Sequence, residues 1–159
     1  MPNPYFQFKQ FTVRHDKCAM KVGTDGVLLG AWAPVQGAKR ILDVGAGSGL
    51  ISLQLAQRNP EAAITSVEID PAAAAQAQEN IQSSPWNHRM EVVCCDFRKY
   101  HPEDKFDLIV SNPPYFVDAL KCPDNQRCMA RHTSELSYEL LFGHSAHFLS
   151  ERGSISIII

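Results

Sequence analysis

The sequence has no apolar run approaching the roughly 18 residues that a membrane-spanning helix needs. Its first residues show neither the basic region nor the apolar stretch of a secretory signal peptide. The five cysteines are odd in number and form no CxxC pair, which argues against a structural zinc site and favours free thiols. We therefore predict a cytoplasmic protein with reduced cysteines, no membrane contact and no metal.

The sequence also has no large excess of basic or of acidic residues. The 159 residues include 15 Lys+Arg and 17 Asp+Glu, so the net charge is −2 and the chain is not a strongly basic nucleic-acid-binding body. A local basic patch is still compatible with this balance. There is no internal repeat, low-complexity run or Gly/Ser linker. With 45% hydrophobic and 20% charged residues, the composition is that of a globular protein rather than a disordered tail, a collagen-like repeat or a coiled coil.

Apolar runs rich in strand-forming residues alternate with stretches of helical character. This alternation predicts an α/β protein in which helices cover a parallel sheet. Asp70 and Pro71 form a typical helix start, since Asp can cap free amides and Pro is tolerated at the first helical position. The predicted strands are Arg40–Val44 and residues 64–69, 90–96, 106–111 and 154–159, and the predicted helices are residues 50–58, 72–80 and 133–150.

The predicted strand 154–159 has no turn, cap or polar ending. Left as it stands, it would expose an apolar sheet edge, which soluble proteins normally cover. We therefore expect either that the sequence is truncated or that a further segment completes the sheet.

A glycine cluster follows the first predicted strand. Gly45, Gly47 and Gly49 form a GxGxG pattern that allows the backbone to approach a ligand closely beside a helix start. Glu68, 19 positions after Gly49, stands where a carboxylate can hold two ribose hydroxyls. Asp43 would repel a pyrophosphate but suits a cationic ligand. The pattern therefore favours S-adenosylmethionine over NAD, and a nicotinamide-dependent oxidoreductase is the weaker interpretation.

The end of the third predicted strand adds to this candidate cofactor site. Asp96 can accept a hydrogen bond from an adenine amine, and the backbone amide of Phe97 can donate to a ring nitrogen. Ile69, beside Glu68, is placed in the same set. Ligands of open α/β sheets bind at the carboxyl ends of the strands, so these residues are expected to share one crevice.

The most specific motif is the tetrapeptide Asn112, Pro113, Pro114 and Tyr115 at the end of the fourth predicted strand. The prolines stiffen the backbone and supply no amide donors. The Asn112 side-chain oxygen and a proline carbonyl could accept the two protons of a planar amine and free its lone pair to attack a methyl carbon. Tyr115 could stack on a base withdrawn from its own stack. We predict catalysis by positioning of the reacting groups, which can supply roughly 7–11 kcal/mol.

These motifs together resemble the class I methyltransferases that modify planar nitrogen atoms. Residues 11–32, which include HDKCAMKVGTDGVLLGAW, look like the opening of the bacterial tRNA(Val) adenine-N6 methyltransferases. The resemblance implies a Rossmann-like fold with a mostly parallel sheet and helices on both faces. It further implies S-adenosylmethionine as cofactor, methylation of the adenosine next to the anticodon, and two strands and a helix after Ile159.

The resemblance also assigns regions of the chain. Residues 1–34 would form a segment that covers the cofactor, with Thr24 and Asp25 against its methionine end. Residues 35–159 would form the methyltransferase domain, incomplete at its C-terminal end.

Two other functions fit the same motifs. The tetrapeptide suits the side-chain amide of a protein glutamine as well as it suits adenine, and a non-catalytic RNA-binding module could retain the fold. The loop after Tyr115 is either a basic lip that contacts RNA phosphates or a solvated segment. Its basic residues are Lys121, Arg127, Arg131 and His132.

Overall fold

The computed structural model describes residues 3–113 and 137–159, and it shows a five-stranded parallel sheet with helices on both faces. A separate two-stranded antiparallel sheet precedes it. The strands are β1 (Tyr5–Gln7), β2 (Thr12–Arg14), β3 (Arg40–Val44), β4 (Ala63–Glu68), β5 (Met90–Cys94), β6 (Phe106–Ser111) and β7 (Leu149–Ile157). The helices are α1 (Thr24–Trp32), α2 (Leu50–Arg58), α3 (Pro71–Gln82) and α4 (Tyr138–Ala146).

The strand order in the large sheet is β5-β4-β3-β6-β7, and each neighbouring pair is parallel. The first two crossovers place β4 and β5 on one side of β3, whereas β6 and β7 lie on the other side. Open α/β sheets bind ligands at such a reversal of strand order. In the register of the sheet Val44 pairs with both Val67 and Ser111, so the carboxyl ends of the three central strands are level with one another.

Successive β3 residues contribute to two hydrophobic clusters on opposite faces of the sheet. Ile41 belongs to the cluster that includes residues of α1, α2 and α3, whereas Leu42 belongs to the cluster with Leu141 of α4. Strands covered on both faces are mostly apolar, and β3 (RILDV) and β6 (FDLIVS) have apolar residues on both faces of the sheet. The predicted α/β fold, with a mostly parallel sheet and helices on both faces, is confirmed.

The elements nearest the glycine cluster match the sequence prediction most closely. β3, α2 and β6 have the predicted bounds, and α3 begins at Pro71 as predicted but ends at Gln82, two residues beyond the predicted end at Asn80. Asp70 is the N-terminal flanking residue of α3, as expected, and Pro71 is its first residue. The expected capping bond is wrong, because the Asp70 side chain accepts no hydrogen bond from the helix amides.

The helix predicted over residues 133–150 is wrong at its C-terminal end. α4 stops at Ala146, because the amides of His147 and Phe148 bond back to the carbonyls of His144 and Ser145 and turn the chain. β7 then begins at Leu149, five residues before the predicted strand, and its pairing with β6 shifts register between Phe106 and Leu108. Residues 133–136 lie outside the described residues.

Candidate active site at the carboxyl ends of the central strands

Two adjoining cavities open at the carboxyl ends of the central strands. Their volumes are about 270 Å³ and about 290 Å³. We call the first the α1 cavity, because Thr24, Asp25 and Gly26 line it, and the second the β4 cavity, because Val67, Glu68 and Ile69 line it. The residues that line both cavities are Met20, Gly45, Gly47 and Asn112. The two cavities therefore form one crevice that passes the glycine turn.

The glycine turn directly follows β3 and separates the two cavities. Gly45, Gly47 and Gly49 have φ angles of 72°, 56° and 86°, a backbone region that only glycine adopts without strain. The amides of Gly45 and Ala46 donate to the carbonyl of Val67, at 2.8 and 3.1 Å, which ties the turn to β4. All three glycines of the predicted cofactor pattern are thus needed for the turn itself, and two of them line the crevice.

Glu68 joins the end of β4 to the glycine turn. Its Oε2 accepts a hydrogen bond from the Gly47 amide at 2.7 Å, and its Oε1 accepts one from the Asp70 amide at 3.0 Å. These two bonds fix the direction of the carboxylate, which lines the β4 cavity. Each carboxylate oxygen keeps a second lone pair with which it could accept a bond from a sugar hydroxyl.

Asp43 has a different environment from the other carboxylates of the site. It has no accessible surface and is not among the residues that line either cavity. Its Oδ2 accepts a bond from the Ser52 hydroxyl at 2.7 Å, and that hydroxyl also bonds to Ser66. Oδ1 has no hydrogen-bond partner among the described residues. Burial raises the pKa of Asp43 to about 7, and the nearby Glu68 charge acts in the same direction.

The β4 cavity is also lined by Ile69, Asp96 and Phe97. Arg98, which the sequence analysis did not single out, holds the Asp96 carboxylate through its Nε, at 3.0 Å from Oδ1 and 2.9 Å from Oδ2. The Arg98 amide also donates to Oδ1. Because the Arg98 side chain donates to it, the pKa of Asp96 is lowered. The predicted contact between Asp96 and an adenine amine stays a prediction.

Asn112 and Pro113 follow β6 at the centre of the crevice. Asn112 lines both cavities and Pro113 lines the β4 cavity. The Ser111 hydroxyl donates to the Val44 carbonyl at 2.8 Å and fixes the strand end that carries Asn112. The other predicted catalytic residues, Pro114 and Tyr115, lie outside the described residues, as do the loop residues Lys121, Arg127, Arg131 and His132.

α1 lies close to the Asn112 side chain. A Cβ atom at Gly26 would lie 3.6 Å from the Asn112 Nδ2 and 3.0 Å from a methyl carbon of Leu50. Thr24 and Asp25, the two residues that the family resemblance placed at the cofactor, line the α1 cavity at the N-terminus of this helix. The small residue at position 26 thus allows the helix to come close to the predicted catalytic asparagine.

Four residues before α1, which the sequence did not single out within the expected covering segment 1–34, also line the crevice. The segment before α1 contributes Cys18 and Ala19 to the β4 cavity, Lys21 to the α1 cavity and Met20 to both. Lys21 folds back and donates from Nζ to the carbonyls of His15, at 2.8 Å, and Cys18, at 3.1 Å. These bonds hold the backbone of residues 15–21 in a tight turn.

Residues 3–113 and 137–159 contain no group of three or more His, Cys, Asp or Glu side chains that could hold a metal ion. No helix in these ranges has the length and hydropathy required to cross a bilayer.

Comparison with known proteins agrees with this geometry. Residues 20–159 match the methyltransferase small domain family. The chain is 64% identical over its full length to the tRNA1(Val) (adenine(37)-N6)-methyltransferase of Bacteroides thetaiotaomicron, of which it covers 68%. It is 52% identical, over 97% of its length, to the protein of the same name from Enterobacter sp. (strain 638), of which it covers 64%.

Solved structures share the fold at low sequence identity. A SAM-dependent methyltransferase from Thiobacillus denitrificans, in complex with S-adenosyl-L-homocysteine, has a TM-score of 0.63 at 16% identity, covering 89% of this chain and 48% of that one. YjhP from E. coli has a TM-score of 0.63 at 18% identity, covering 90% of this chain and 50% of that one. The chain belongs to the methyltransferase small domain family and, within it, to the tRNA1(Val) (adenine(37)-N6)-methyltransferases.

Proposed function

We propose that this protein transfers a methyl group from S-adenosylmethionine to the N6 amine of an adenosine in tRNA, at position 37 of tRNA(Val). The observation that carries the proposal is the place of Asn112, which lines both cavities where they join. If the two ends of S-adenosylmethionine occupied the two cavities, the sulfonium between them would be held near Asn112. The protein would act on its tRNA in the cytoplasm.

The residues of the crevice fit this cofactor. The two cavities together have a volume within the roughly 300–1,000 Å³ range of small-molecule sites. Glu68 and Asp96 would hold the ribose and the adenine in the β4 cavity, beside the apolar surface of Ile69. Thr24 and Asp25 would hold the methionine end in the α1 cavity. Burial raises the pKa of Asp43 to about 7, so this carboxyl is only partly ionised in the empty site, and a cationic group bound beyond the glycine turn would favour its ionised form.

The chain's own residues would prepare the amine for attack. The lone pair of an exocyclic adenine amine is delocalised into the ring, so this nitrogen is a weak nucleophile. The Asn112 side-chain oxygen and the Pro113 carbonyl would accept the two amine protons and make the nitrogen more tetrahedral. When bound, S-adenosylmethionine supplies a methyl carbon on a cationic sulfur, which keeps the electron pair of the broken carbon–sulfur bond. The nitrogen forms the new bond to carbon and then loses one proton to solvent.

Two residues of the motif complete the proposed mechanism. Pro114 would keep the backbone rigid beyond Pro113. Tyr115 would stack on the adenine after it leaves the anticodon loop, since a base must be unstacked before its amine is accessible.

The choice of RNA over a protein glutamine rests on the relatives, which carry an adenine-specific name at 52–64% identity. The test is to incubate the protein with isotope-labelled S-adenosylmethionine and three substrates. These are a tRNA(Val) transcript, the same transcript with guanosine at position 37, and a release-factor protein. Label in the first substrate alone is the expected result. Label in the release factor, or equal label in both transcripts, would contradict the proposal.

A further inference from the structure

Two amide side chains lie buried one turn apart on α3. Gln76 is 1% exposed and Asn80 is 3% exposed, in a helix whose other buried residues are mostly alanine. Buried amides are expected to have hydrogen-bond partners, because an unpaired polar group costs about 1–3 kcal/mol. The partners of these two amides lie in the glycine turn and in the N-terminal segment, and two of them, Ser48 and Cys18, line the crevice.

Asn80 bonds to two segments that are distant in sequence. Its Oδ1 accepts from the Arg14 amide at 2.9 Å, and its Nδ2 donates to the Arg14 carbonyl at 2.9 Å. The same nitrogen donates to the Ser48 carbonyl at 2.7 Å. Ser48 belongs to the glycine turn and lines the α1 cavity. One side chain therefore connects the end of β2 to the turn that separates the two cavities.

Among the described residues, the Gln76 side chain bonds to the next part of the N-terminal segment and not to the glycine turn. Its Oε1 accepts from the Lys17 amide at 2.9 Å and from the Cys18 thiol at 3.2 Å. Its Nε2 donates to Asp16 Oδ1 at 2.7 Å. Residues 18–21, which follow directly, line the crevice.

α3 also packs against the glycine turn. A Cβ atom at Gly49 would lie 3.5 Å from the Cβ of Ala77, so the turn and the helix are in close contact. Ala73, on the same helix, lines the β4 cavity. The helix is thus a shared support for the turn and for the N-terminal segment, and Asn80 is the side chain that bonds to both.

We infer that Asn80 is a positioning residue of the cofactor site, which holds the glycine turn and the segment of residues 14–21 in one arrangement. The inference rests on the proposed function, since the ligand concerned is S-adenosylmethionine. Loss of Asn80 would free both the Ser48 carbonyl of the glycine turn and the end of β2, whereas loss of Gln76 would free the N-terminal segment but not the turn. Neither change touches Asn112, so the effect is expected on cofactor binding rather than on turnover at saturating cofactor.

The first test compares Asn80→Ala, Gln76→Ala and the control Gln82→Ala, whose side chain is exposed on the same helix. We expect Asn80→Ala to weaken S-adenosylhomocysteine binding, measured by calorimetry, by about tenfold or more, and Gln76→Ala to weaken it less. KM for S-adenosylmethionine should rise in parallel, with kcat within about threefold of wild type. Binding by folded Asn80→Ala within about twofold of wild type, or a loss in kcat alone, would overturn the inference.

The second test uses the wild-type chain and therefore does not depend on a variant that folds. Hydrogen exchange is measured at the Arg14 and Lys17 amides, which bond to Asn80 and Gln76, with and without S-adenosylhomocysteine. If the walls form together, ligand binding slows exchange at both amides. Unchanged exchange there, with slower exchange only at residues lining the crevice, would overturn the inference. A wild-type chain that binds no S-adenosylhomocysteine would instead contradict the proposed function.

Discussion

The Gly47 amide donates a hydrogen bond to Oε2 of Glu68 at 2.7 Å, across 21 residues of sequence. This bond joins the glycine turn to the carboxylate that is proposed to hold the ribose. The orientation of Glu68 is therefore set by the backbone before any ligand is present. The carboxylate needs little reorganisation when a sugar binds.

Glu68→Gln tests this arrangement. A glutamine side chain keeps one acceptor oxygen, so its amide nitrogen must face either the Gly47 or the Asp70 amide, both of which are donors. We expect KM for S-adenosylmethionine to rise by about tenfold, which corresponds to about 1.4 kcal/mol of binding. Turnover at saturating cofactor should change little. Steady-state kinetics measure both, with the exposed Glu61→Gln as control. An unchanged KM in Glu68→Gln would contradict the proposed ribose contact.

Asp43 predicts a pH dependence of stability in the cofactor-free protein. Its pKa is about 7 in the folded chain and about 3.9 in an unfolded chain, so between these values the folded state binds the extra proton. The stabilising contribution is complete below pH of about 4 and is lost as the pH rises to about 7. The full effect is of the order of 4 kcal/mol.

Asp43→Asn removes the ionisable group and should flatten this dependence. As the pH rises from 5 to 8, the free energy of unfolding of wild type should fall relative to that of the variant. Urea unfolding at both values measures the two free energies of unfolding. Parallel pH profiles for wild type and variant would show that Asp43 does not titrate in this range.

Two glycines in helices are predicted to respond in opposite directions to alanine. A Cβ atom at Gly30 would lie 2.1 Å from Oε1 of the Gln54 side chain, which also donates to the Val27 carbonyl. Gly30→Ala should therefore destabilise the fold by about 1–3 kcal/mol. At Gly143, in α4, a Cβ atom would meet no atom of the described residues within 4 Å, so Gly143→Ala should stabilise by about 0.5–1 kcal/mol. Thermal unfolding gives both values, and equal effects would contradict the packing of α1 on α2.

The central part of the fold could be predicted from the sequence because its signals are local. The strand-forming run Arg40–Val44 and the glycines after it lie within about ten residues, and each fixes the backbone near itself. Because the strands are parallel, their carboxyl ends meet at the same edge of the sheet. For this reason Gly45, Glu68 and Asn112 could be placed in one crevice before the structure was known.

The N-terminal wall could not be predicted in this way. The bond between Asn80 and Arg14 spans 66 residues, and a helix with the sequence PAAAAQAQENIQ gives no sign that two of its amides are buried. Tertiary packing decides which face of this helix is buried, and therefore which of its amide side chains are buried. The partner of Asp96 was missed for a different reason, because Arg98 is two residues away and its side chain could equally have pointed into solvent.

The most direct test of the proposed mechanism is the pair of measurements on Asn112→Ala. S-adenosylhomocysteine affinity by calorimetry should stay within about threefold of wild type, because the other residues that line the two cavities are unchanged. Methyl transfer to the tRNA(Val) transcript at saturating cofactor should fall by about 10²-fold or more, the order seen when one positioned polar group is removed from an active site. The exposed Asn87→Ala is the control. Normal cofactor binding together with near wild-type transfer in Asn112→Ala would contradict the role given to this residue.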